Sequence, residues 1–234
     1  QWADRFGTLL TQDAKEALKQ AVIALQAGRI LGVKGIGGFL LVTDATQETS
    51  VQTLRMRKHR PAKPFALLYP NRETLAGDVF LTEAEYQAYV SIESPIVLFR
   101  LRETPASGLA LTQFAPGLQN IGAMQPYTPL LELLSKAFKK PLIATSGNFS
   151  GSPIFFEDDP ALKNLSPVVD FFLSNDRDIV VPQDDSVLRI SEQQAKPIYL
   201  RRSRGYAPSL IHNSFEGWKK STVLAMGAML KSTF

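Results

Sequence analysis

The sequence predicts an α/β fold, in which helices pack around a twisted sheet with mixed strand directions. Segments with helical periodicity alternate with short apolar segments typical of strands along nearly the whole chain. Of the 234 residues, 44% are hydrophobic, which is enough to bury a sizeable core and argues against a disordered or fibrous protein. A glycine-rich segment between two strand candidates is typical of a hairpin, which joins antiparallel strands.

The first elements follow from apolar spacing and from residues that begin or end helices. Thr11 is a candidate N-cap, and apolar residues then recur at helical spacing until Gly28 ends the pattern. Strands are predicted at residues 30–33 and 39–43, on either side of the glycine-rich segment. A second helix is predicted for residues 46–58, because a proline shortly afterwards bars its continuation.

The rest of the chain continues this alternation. Helices are predicted at residues 72–78, 82–91 and 128–138, and strands at residues 65–69, 96–101, 142–145, 168–173, 186–190 and 197–200. The glycine- and proline-rich stretch before Tyr127 is predicted to be a loop. The chain opens without Met and stops within a new strand-and-glycine pattern. We therefore expect an excised piece, with one domain at residues 1–208, then a linker and the truncated start of another domain at residues 209–234.

Composition excludes several classes of protein. The chain has no Cys, so disulfides and thiolate metal sites are excluded, and only two His are available as imidazole ligands. No apolar run approaches the roughly 20 residues needed to cross a bilayer, and the N-terminus lacks the pattern of a secretory signal. A cytoplasmic protein with no membrane contact is therefore expected.

Positive charge is clustered, although the net charge is only +4. The clusters lie at residues 55–60 and 201–204, and such clusters indicate an anionic partner. Three cations of the first cluster stand at the end of the predicted helix, where they could merely balance the helix dipole. Arg60 and Lys63 differ, because two prolines force an extended path just beyond the helix and fix where their side chains emerge.

A small anion is the first candidate ligand of this segment. Two like charges about 6 Å apart repel by roughly 3 kcal/mol at an effective dielectric near 20, so such a cluster needs an anion if it lies in a cleft. A triphosphate fits, because Arg and Lys can bridge its oxygens and neutralise charge that moves during attack. Nucleic acid ranks second, because the nearby aromatics Phe65 and Tyr69 stand in an apparent core strand.

The glycine-rich segment contains Lys34, Gly35, Gly37 and Gly38 between two strands. It has neither the dinucleotide-binding nor the P-loop spacing of glycines, so a plain hairpin is one interpretation. The other is a binding loop, because missing side chains let a backbone approach a ligand closely and Lys34 supplies a charge at the entrance.

A second candidate segment, with Thr145, Ser146 and Asn148, follows the carboxyl end of an apolar strand, where α/β sheets place their ligands. These side chains could hydrogen-bond phosphate, ribose or a base edge, although a tight turn is the simpler interpretation. Further along, Asp184 and Asp185 could hold a magnesium ion or simply cap a strand.

Taken together, these segments resemble the YrdC-like domain of HypF-type hydrogenase-maturation carbamoyltransferases. The order and spacing of the matching blocks agree across nearly the whole chain, which is implausible by chance. The blocks are VKGIGGF at residues 33–39, LRMRKHRPAKP at 54–64, GAM at 122–124, PYTPL at 126–130, TSGNFSG at 145–151, DDSV at 184–187 and RRSRGYAP at 201–208.

The resemblance implies a YrdC-like twisted sheet with a basic concave cleft, where a K-x-R and an S-x-N motif contact the nucleotide. Here those motifs are Lys58 with Arg60, and Ser146 with Asn148. The predicted catalytic residues are Lys58, Arg60 and Lys63. The predicted nucleotide-binding residues are Lys34, Gly35, Gly37, Gly38, Thr145, Ser146, Asn148, Arg201 and Arg202, with Asp185 as a candidate magnesium ligand.

The resemblance also implies a reaction. A carbamate oxygen would attack the α-phosphate of ATP and release pyrophosphate, with magnesium as cofactor, to give carbamoyl adenylate. In proteins of this type a separate acylphosphatase-like domain releases the carbamate from carbamoyl phosphate. A following sugar-kinase-like domain passes the carbamoyl group to the C-terminal Cys of HypE, the expected partner.

Four positions depart from the pattern of these proteins. Leu40, Leu131 and Asn175 stand where His is common, and Pro182 stands where a basic residue is usual. Two other functions stay open. A threonylcarbamoyl-AMP synthase for tRNA modification shares both motifs but normally has a P-T-[DE]-T segment at the glycine-rich turn. A non-catalytic module that binds double-stranded RNA fits the sequence pI of about 9.3 and the two basic clusters.

Overall fold

The computed structural model describes residues 1–149 and 151–208, in which twelve strands and seven helices alternate. The predicted linker and domain start at residues 209–234 lie outside the described residues. The strands are β1 (Trp2–Asp4), β2 (Leu9–Thr11), β3 (Leu31–Lys34), β4 (Phe39–Asp44), β5 (Ala66–Leu68), β6 (Val79–Phe80), β7 (Ile96–Leu101), β8 (Asn120–Met124), β9 (Leu142–Ser146), β10 (Phe171–Leu173), β11 (Val187–Ile190) and β12 (Pro197–Arg201). The helices are α1 (Ala14–Gln26), α2 (Glu48–Arg57), α3 (Arg72–Asp78), α4 (Glu83–Tyr89), α5 (Leu111–Phe114), α6 (Pro129–Phe138) and α7 (Asp158–Leu165).

All these strands join one mixed sheet, as the sequence predicted. The order is β12-β11-β7-β8-β5-β9-β4-β3-β10-β1-β2, and β6 adds to β7. The pairs β11/β7, β5/β8 and β3/β10 are parallel, and the others are antiparallel. The glycine-rich segment joins β3 to β4 as a hairpin, with Lys34 opposite Phe39. The centre of the sheet is β5-β9-β4-β3, where every strand is paired on both sides.

The two faces of the sheet bury two separate hydrophobic clusters, because side chains alternate along each strand. On β4, Phe39 and Leu41 point into the cluster that includes residues of α2, whereas Leu40 and Val42 point into the cluster shared with α1 and α6. All four side chains are at most 1% exposed. At roughly 1.5–3 kcal/mol for each fully buried large apolar side chain, burial on both faces stabilises the central strands strongly.

The structure corrects three details of the predicted elements. The stretch before Tyr127 is not a loop throughout, since it contains α5 and β8. The predicted strand at residues 168–173 begins only at Phe171, because the amides of Val168 and Val169 both bond to the carbonyl of Leu165 in a turn after α7. The N-cap of α1 is Asp13, not Thr11: its Oδ1 accepts from the Glu16 amide at 2.8 Å.

No helix within the described residues is long and apolar enough to cross a membrane.

The two-sided core predicts very different costs for two neighbouring leucines of α6. Leu131 is fully buried, whereas Leu133 is 55% exposed. Leu131→Ala should lower the free energy of unfolding by about 2–5 kcal/mol, because it leaves a cavity between α6 and the sheet. Leu133→Ala should change it by less than about 1 kcal/mol. Urea unfolding followed by circular dichroism measures both, and equal losses would contradict the assignment of these faces.

Candidate functional site

A cavity of about 430 Å³ lies where β5, β7, β8, β9 and β11 present one face of the sheet. Its apolar wall consists of Phe65, Ile96, Leu98, Leu118, Ala144, Ile154 and Val187. Its polar wall brings together residues that are far apart in the sequence, namely Arg60, Lys63, Gln119, Asn120, Thr145, Ser146, Asp184, Asp185 and Arg201. An apolar floor with convergent polar groups at one side is typical of a small-molecule site.

Arg60 and Lys63 reach the cavity from the segment that follows α2. Two carbonyls orient the Arg60 guanidinium, which donates to Lys63 O at 3.2 Å and to Pro64 O at 2.6 Å. The guanidinium also lies 5.1 Å from the ring centroid of Phe65. Burial, and then the charges of Arg55 and Arg201, lower the pKa of Arg60 to about 10, so it is a cation at neutral pH. The structure thus places both predicted cations on the cavity wall.

The neighbouring Arg55 and Arg57 serve the fold instead. The Arg55 guanidinium donates to the carbonyls of Arg60, Lys63, Gln113 and Phe114 at 2.6–3.2 Å, and so ties the segment after α2 to α5. Arg57 forms an ion pair with Asp170 at 3.0 Å. Neither lines the cavity.

Lys58 connects the two predicted motifs but does not line the cavity. Its side chain is buried, and its ammonium donates to three oxygens: Ser146 O at 2.5 Å, Asn148 O at 2.7 Å and Asn148 Oδ1 at 2.8 Å. Burial, and then the charges of Arg60 and Lys63, lower the pKa of Lys58 to about 7. The lysine of the K-x-R motif therefore stabilises the turn that carries the S-x-N motif, and it does so from outside the cavity.

The turn at residues 146–148 is closed by its own side chains. Ser146 Oγ donates to Asn148 Oδ1 at 2.8 Å, and Asn148 Nδ2 donates to Ser152 O at 2.5 Å. Thr145 and Ser146 line the cavity, whereas Asn148 faces Lys58 and the following loop. Of the three residues predicted to contact the ligand here, two are on the wall and the third supports it.

The glycine-rich turn lies beside the cavity and packs against other parts of the chain. A Cβ on Gly37 would lie 2.5 Å from Gln183 O, and a Cβ on Gly38 would lie 2.5 Å from the side chain of Ile154. Ile154 in turn lines the cavity. The close approach that the sequence predicted exists, but its partner is the chain itself. Gly35, Gly37 and Gly38 are not among the lining residues.

Lys34 was also predicted to line the cleft, and its buried ammonium instead forms an ion pair with a half-exposed carboxylate. Its ammonium is 2.8 Å from both carboxylate oxygens of Asp158 at the start of α7, and its side chain is 2% exposed. Asn175 adds two longer contacts with Lys34, at 3.3 and 3.4 Å. This pair fixes the end of the loop that carries Ile154.

The C-terminal basic cluster contributes Arg201 to the cavity, and Arg202 is not a lining residue. Arg201 Nε donates to Asp185 O at 2.6 Å. Arg204 is 6% exposed, and its guanidinium donates to Asp185 Oδ1 at 3.1 Å and lies 3.8 Å from the ring centroid of Tyr127. Arg204 thus anchors the segment that brings Arg201 to the wall.

Asp185, the predicted magnesium ligand, lies on the cavity wall beside a second carboxylate. Asp184 and Asp185 both line the cavity, but Asp185 Oδ1 is already engaged by Arg204. Residues 1–149 and 151–208 contain no group of three or more metal-ligating carboxylates or imidazoles. These residues do not form a metal centre held by protein ligands, and the first role of Asp185 is to hold Arg204.

The sequence did not single out the amides of Gln119 and Asn120, nor the apolar wall. Asn120 is the first residue of β8, the strand that the sequence pattern missed, and Gln119 directly precedes it. Leu40 and Leu131, at positions where His was expected, lie in the core cluster that also contains Ile96 and Ala144 of the cavity wall, but neither leucine lines the cavity. Pro182 is exposed beside Gln183 and does not line the cavity.

Comparison with known proteins identifies the family. A family model named Sua5_yciO_yrdC and described as "Telomere recombination" matches residues 23–203. The chain belongs to the Sua5/YciO/YrdC family. Within this family it is similar to "Carbamoyltransferase HypF" of Synechocystis, with 42% identity over 221 residues, or 94% of this chain and 28% of that protein. "Carbamoyltransferase HypF" of Rhodobacter capsulatus is 43% identical over 90% of this chain and 27% of its own length. The chain therefore spans little more than a quarter of these relatives.

Solved structures agree with this placement in the family. A crystal structure described as full-length HypF in the phosphate- and nucleotide-bound form matches with a TM-score of 0.75 and 38% identity, over 82% of this chain and 29% of that one. HypF of T. kodakarensis matches with a TM-score of 0.79 and 34% identity, over 88% and 26%. YciO of E. coli, at 15% identity and a TM-score of 0.66, shares the fold.

The ion pair of Lys34 and Asp158 predicts an asymmetric response to mutation. Lys34 is buried, whereas Asp158 is 49% exposed. Asp158→Asn should lower the free energy of unfolding by about 2–3 kcal/mol, because it strands a buried ammonium. Lys34→Met should cost less than about 1 kcal/mol, since the carboxylate it leaves can be hydrated. Thermal and urea unfolding measure both variants, and the reverse order would show that Lys34 is not buried in solution.

Proposed function

We propose that the cavity binds ATP and joins a carbamoyl group to AMP, so that the chain is the carbamoyl-adenylate-forming domain of a HypF-type carbamoyltransferase. The observation that carries this proposal is the cationic wall formed by Arg60, Lys63 and Arg201 beside the hydroxyls of Thr145 and Ser146. The hydrogen bonds described for Arg60 and Arg201 go to carbonyl oxygens, which orient a guanidinium without neutralising it. Such a wall is suited to polyphosphate.

The mechanism that fits is an in-line displacement. A carbamate oxygen attacks the α-phosphorus of ATP, the bond from that phosphorus to the bridging oxygen breaks, and pyrophosphate leaves with the electron pair. No covalent enzyme intermediate is needed. Arg60, Lys63 and Arg201 would stabilise the charge that moves to pyrophosphate, and the apolar wall would exclude water from a labile product. Magnesium stays a prediction, and it would enter with the phosphates of ATP and not with a preformed protein site.

The wider role rests on the relatives. The HypF proteins are named carbamoyltransferases, and one of their crystal structures is described as phosphate- and nucleotide-bound. By this likeness we propose a role in hydrogenase maturation. Carbamate would be derived from carbamoyl phosphate, and a HypE-type acceptor would be reached through a domain outside this chain.

One second function has a specific observation behind it. "Threonylcarbamoyl-AMP synthase" of Vibrio cholerae is 29% identical over 59% of this chain and 74% of its own length. Its carbamoyl-adenylate chemistry would need the same cationic wall. The two functions differ in the acyl substrate, so exchange of labelled pyrophosphate into ATP separates them. Exchange that depends on carbamate supports the first function, and exchange that depends on threonine with bicarbonate supports the second.

ATP binding is the first test. Calorimetry with magnesium should show saturable binding to the wild type, and Arg60→Met should weaken it at least tenfold, because a cation on the wall is lost. Arg100→Met is the matched control: Arg100 is an exposed arginine on β7 outside the cavity, and its loss should change the affinity less than twofold.

Two results would contradict the proposal. A cooperatively folded wild type that does not bind ATP would remove its basis. Equal weakening by the two arginine substitutions would point to general electrostatic attraction. In that case double-stranded RNA binding with a steep salt dependence, unaffected by ATP, would favour the RNA-binding alternative.

A further inference from the structure

We infer that Lys58 is a positioning residue whose positive charge holds the turn at residues 146–148 in the shape that the cavity requires, so that ligand binding and protonation of Lys58 favour each other. The first half of the inference concerns the turn alone. The second half rests on the proposed function, since it takes ATP as the ligand.

The side chain of Lys58 does not line the cavity. Its ammonium donates all three of its hydrogen bonds to the turn, one to Ser146 O and two to Asn148. Two backbone hydrogen bonds also tie the turn to the rest of the chain: the Gly147 amide donates to Phe39 O at 2.6 Å, and the Phe155 amide donates to Gly147 O at 2.9 Å. Ser146 lies on the cavity wall, so a change in the turn moves a ligand-binding hydroxyl.

The charge state of Lys58 decides whether this contact holds. An ammonium offers three donors to three oxygens. A neutral amine offers two donors and a lone pair, so one oxygen loses its donor and faces that lone pair. None of the three oxygens belongs to a carboxylate, so within residues 1–149 and 151–208 no group bonded to the Lys58 ammonium carries a compensating charge.

Among the described residues, the two charged groups that act on Lys58, Arg60 and Lys63, both disfavour its protonation. Burial is the largest of the causes that lower the pKa of Lys58 to about 7, and the charges of Arg60 and Lys63, on the segment after α2, are the others. His59, the next residue, is exposed. Below the pKa the ammonium holds the turn, and above it the hold weakens. A phosphate between Arg60 and Lys63 would offset the repulsion and raise the pKa of Lys58 again.

ATP affinity should therefore depend on pH through the protonation of Lys58, a residue outside the cavity. Above pH 7 the free protein has lost the proton that the bound protein retains. The affinity should therefore fall with rising pH, by up to about tenfold per unit, until the pKa of the bound state is reached.

One experiment with two readouts tests this inference. The first readout is the amide NMR signals of Gly147 and Asn148 in the ATP-free chain between pH 6 and 9, and the second is ATP affinity at pH 6.5 and 8.5. In the wild type the amides should shift in a transition near pH 7, and the affinity should fall about tenfold. Lys58→Met should abolish the transition and bind ATP weakly at both pH values. His59→Asn, which removes the neighbouring imidazole and tolerates the positive φ of that position, should behave as the wild type.

The outcomes separate the inference from the proposed function. ATP binding without a transition in the wild type overturns the role of Lys58 and leaves the function standing. A transition that persists in Lys58→Met, or is lost in His59→Asn, also overturns it. If the transition is lost only in Lys58→Met, the role of Lys58 in holding the turn is confirmed. If ATP also fails to bind, the coupling of Lys58 protonation to ATP binding is overturned, and so is the proposed function. The wild-type and His59→Asn measurements stand even if Lys58→Met does not fold.

Discussion

The antiparallel pairing of β4 with β9 is the constraint on which the cavity depends. It runs over five residue pairs, from Leu40 opposite Ser146 to Asp44 opposite Leu142. Because this register ends at Ser146, the turn that follows β9 must lie beside the hairpin that precedes β4. A Cβ on Gly147 would lie 2.7 Å from Phe39 O, so the turn can close on β4 only with glycine at this position. A shift of one residue would exchange the two buried faces of β4, and the two clusters resist it.

The cations around the cavity are fixed mainly by carbonyl oxygens. Arg55 donates to four carbonyls, Arg60 to two, and Lys58 to two carbonyls and an amide oxygen. A carboxylate partner would fix a cation equally well, but it would cancel the field that attracts a polyphosphate. Carbonyl dipoles orient the cation and leave its charge available. Burial, and then the mutual repulsion of the cations, lowers the pKa of Arg60 and Lys58, and an anion in the cavity would relieve the repulsion.

The sequence predicted the elements with long, regular apolar patterns and missed those defined by their partners. The stripes of α1 and α6 and the continuous apolar runs of β3, β4 and β9 are visible without a structure. By contrast, β1 is three residues long and exists because Trp2 lies opposite Leu173. The strand β8 contains Gly122, whose missing Cβ makes room for Ile96, and a glycine in a stretch with several other glycines and prolines predicts a loop. Pairing between strands that lie far apart in the sequence leaves no pattern in the local sequence of either strand.

The same limit applies to the candidate site. The types of the motif residues indicated which segments lie near the cavity, but not what each side chain contacts there. Glycines permit any atom to approach, and at Gly38 the approaching atom belongs to Ile154 and not to a ligand. A buried lysine needs oxygens, and Lys34 finds them on Asp158 while Lys58 finds them on the turn at residues 146–148. These residues lie next to the cavity and shape its wall through the groups they hold. Substituting them should change ligand affinity by displacing Ile154 or Ser146, whereas substituting Arg60 removes a charge from the wall itself. Lys58, the lysine of the K-x-R motif, thus contributes to the cavity through the turn that it holds, and not as part of the wall.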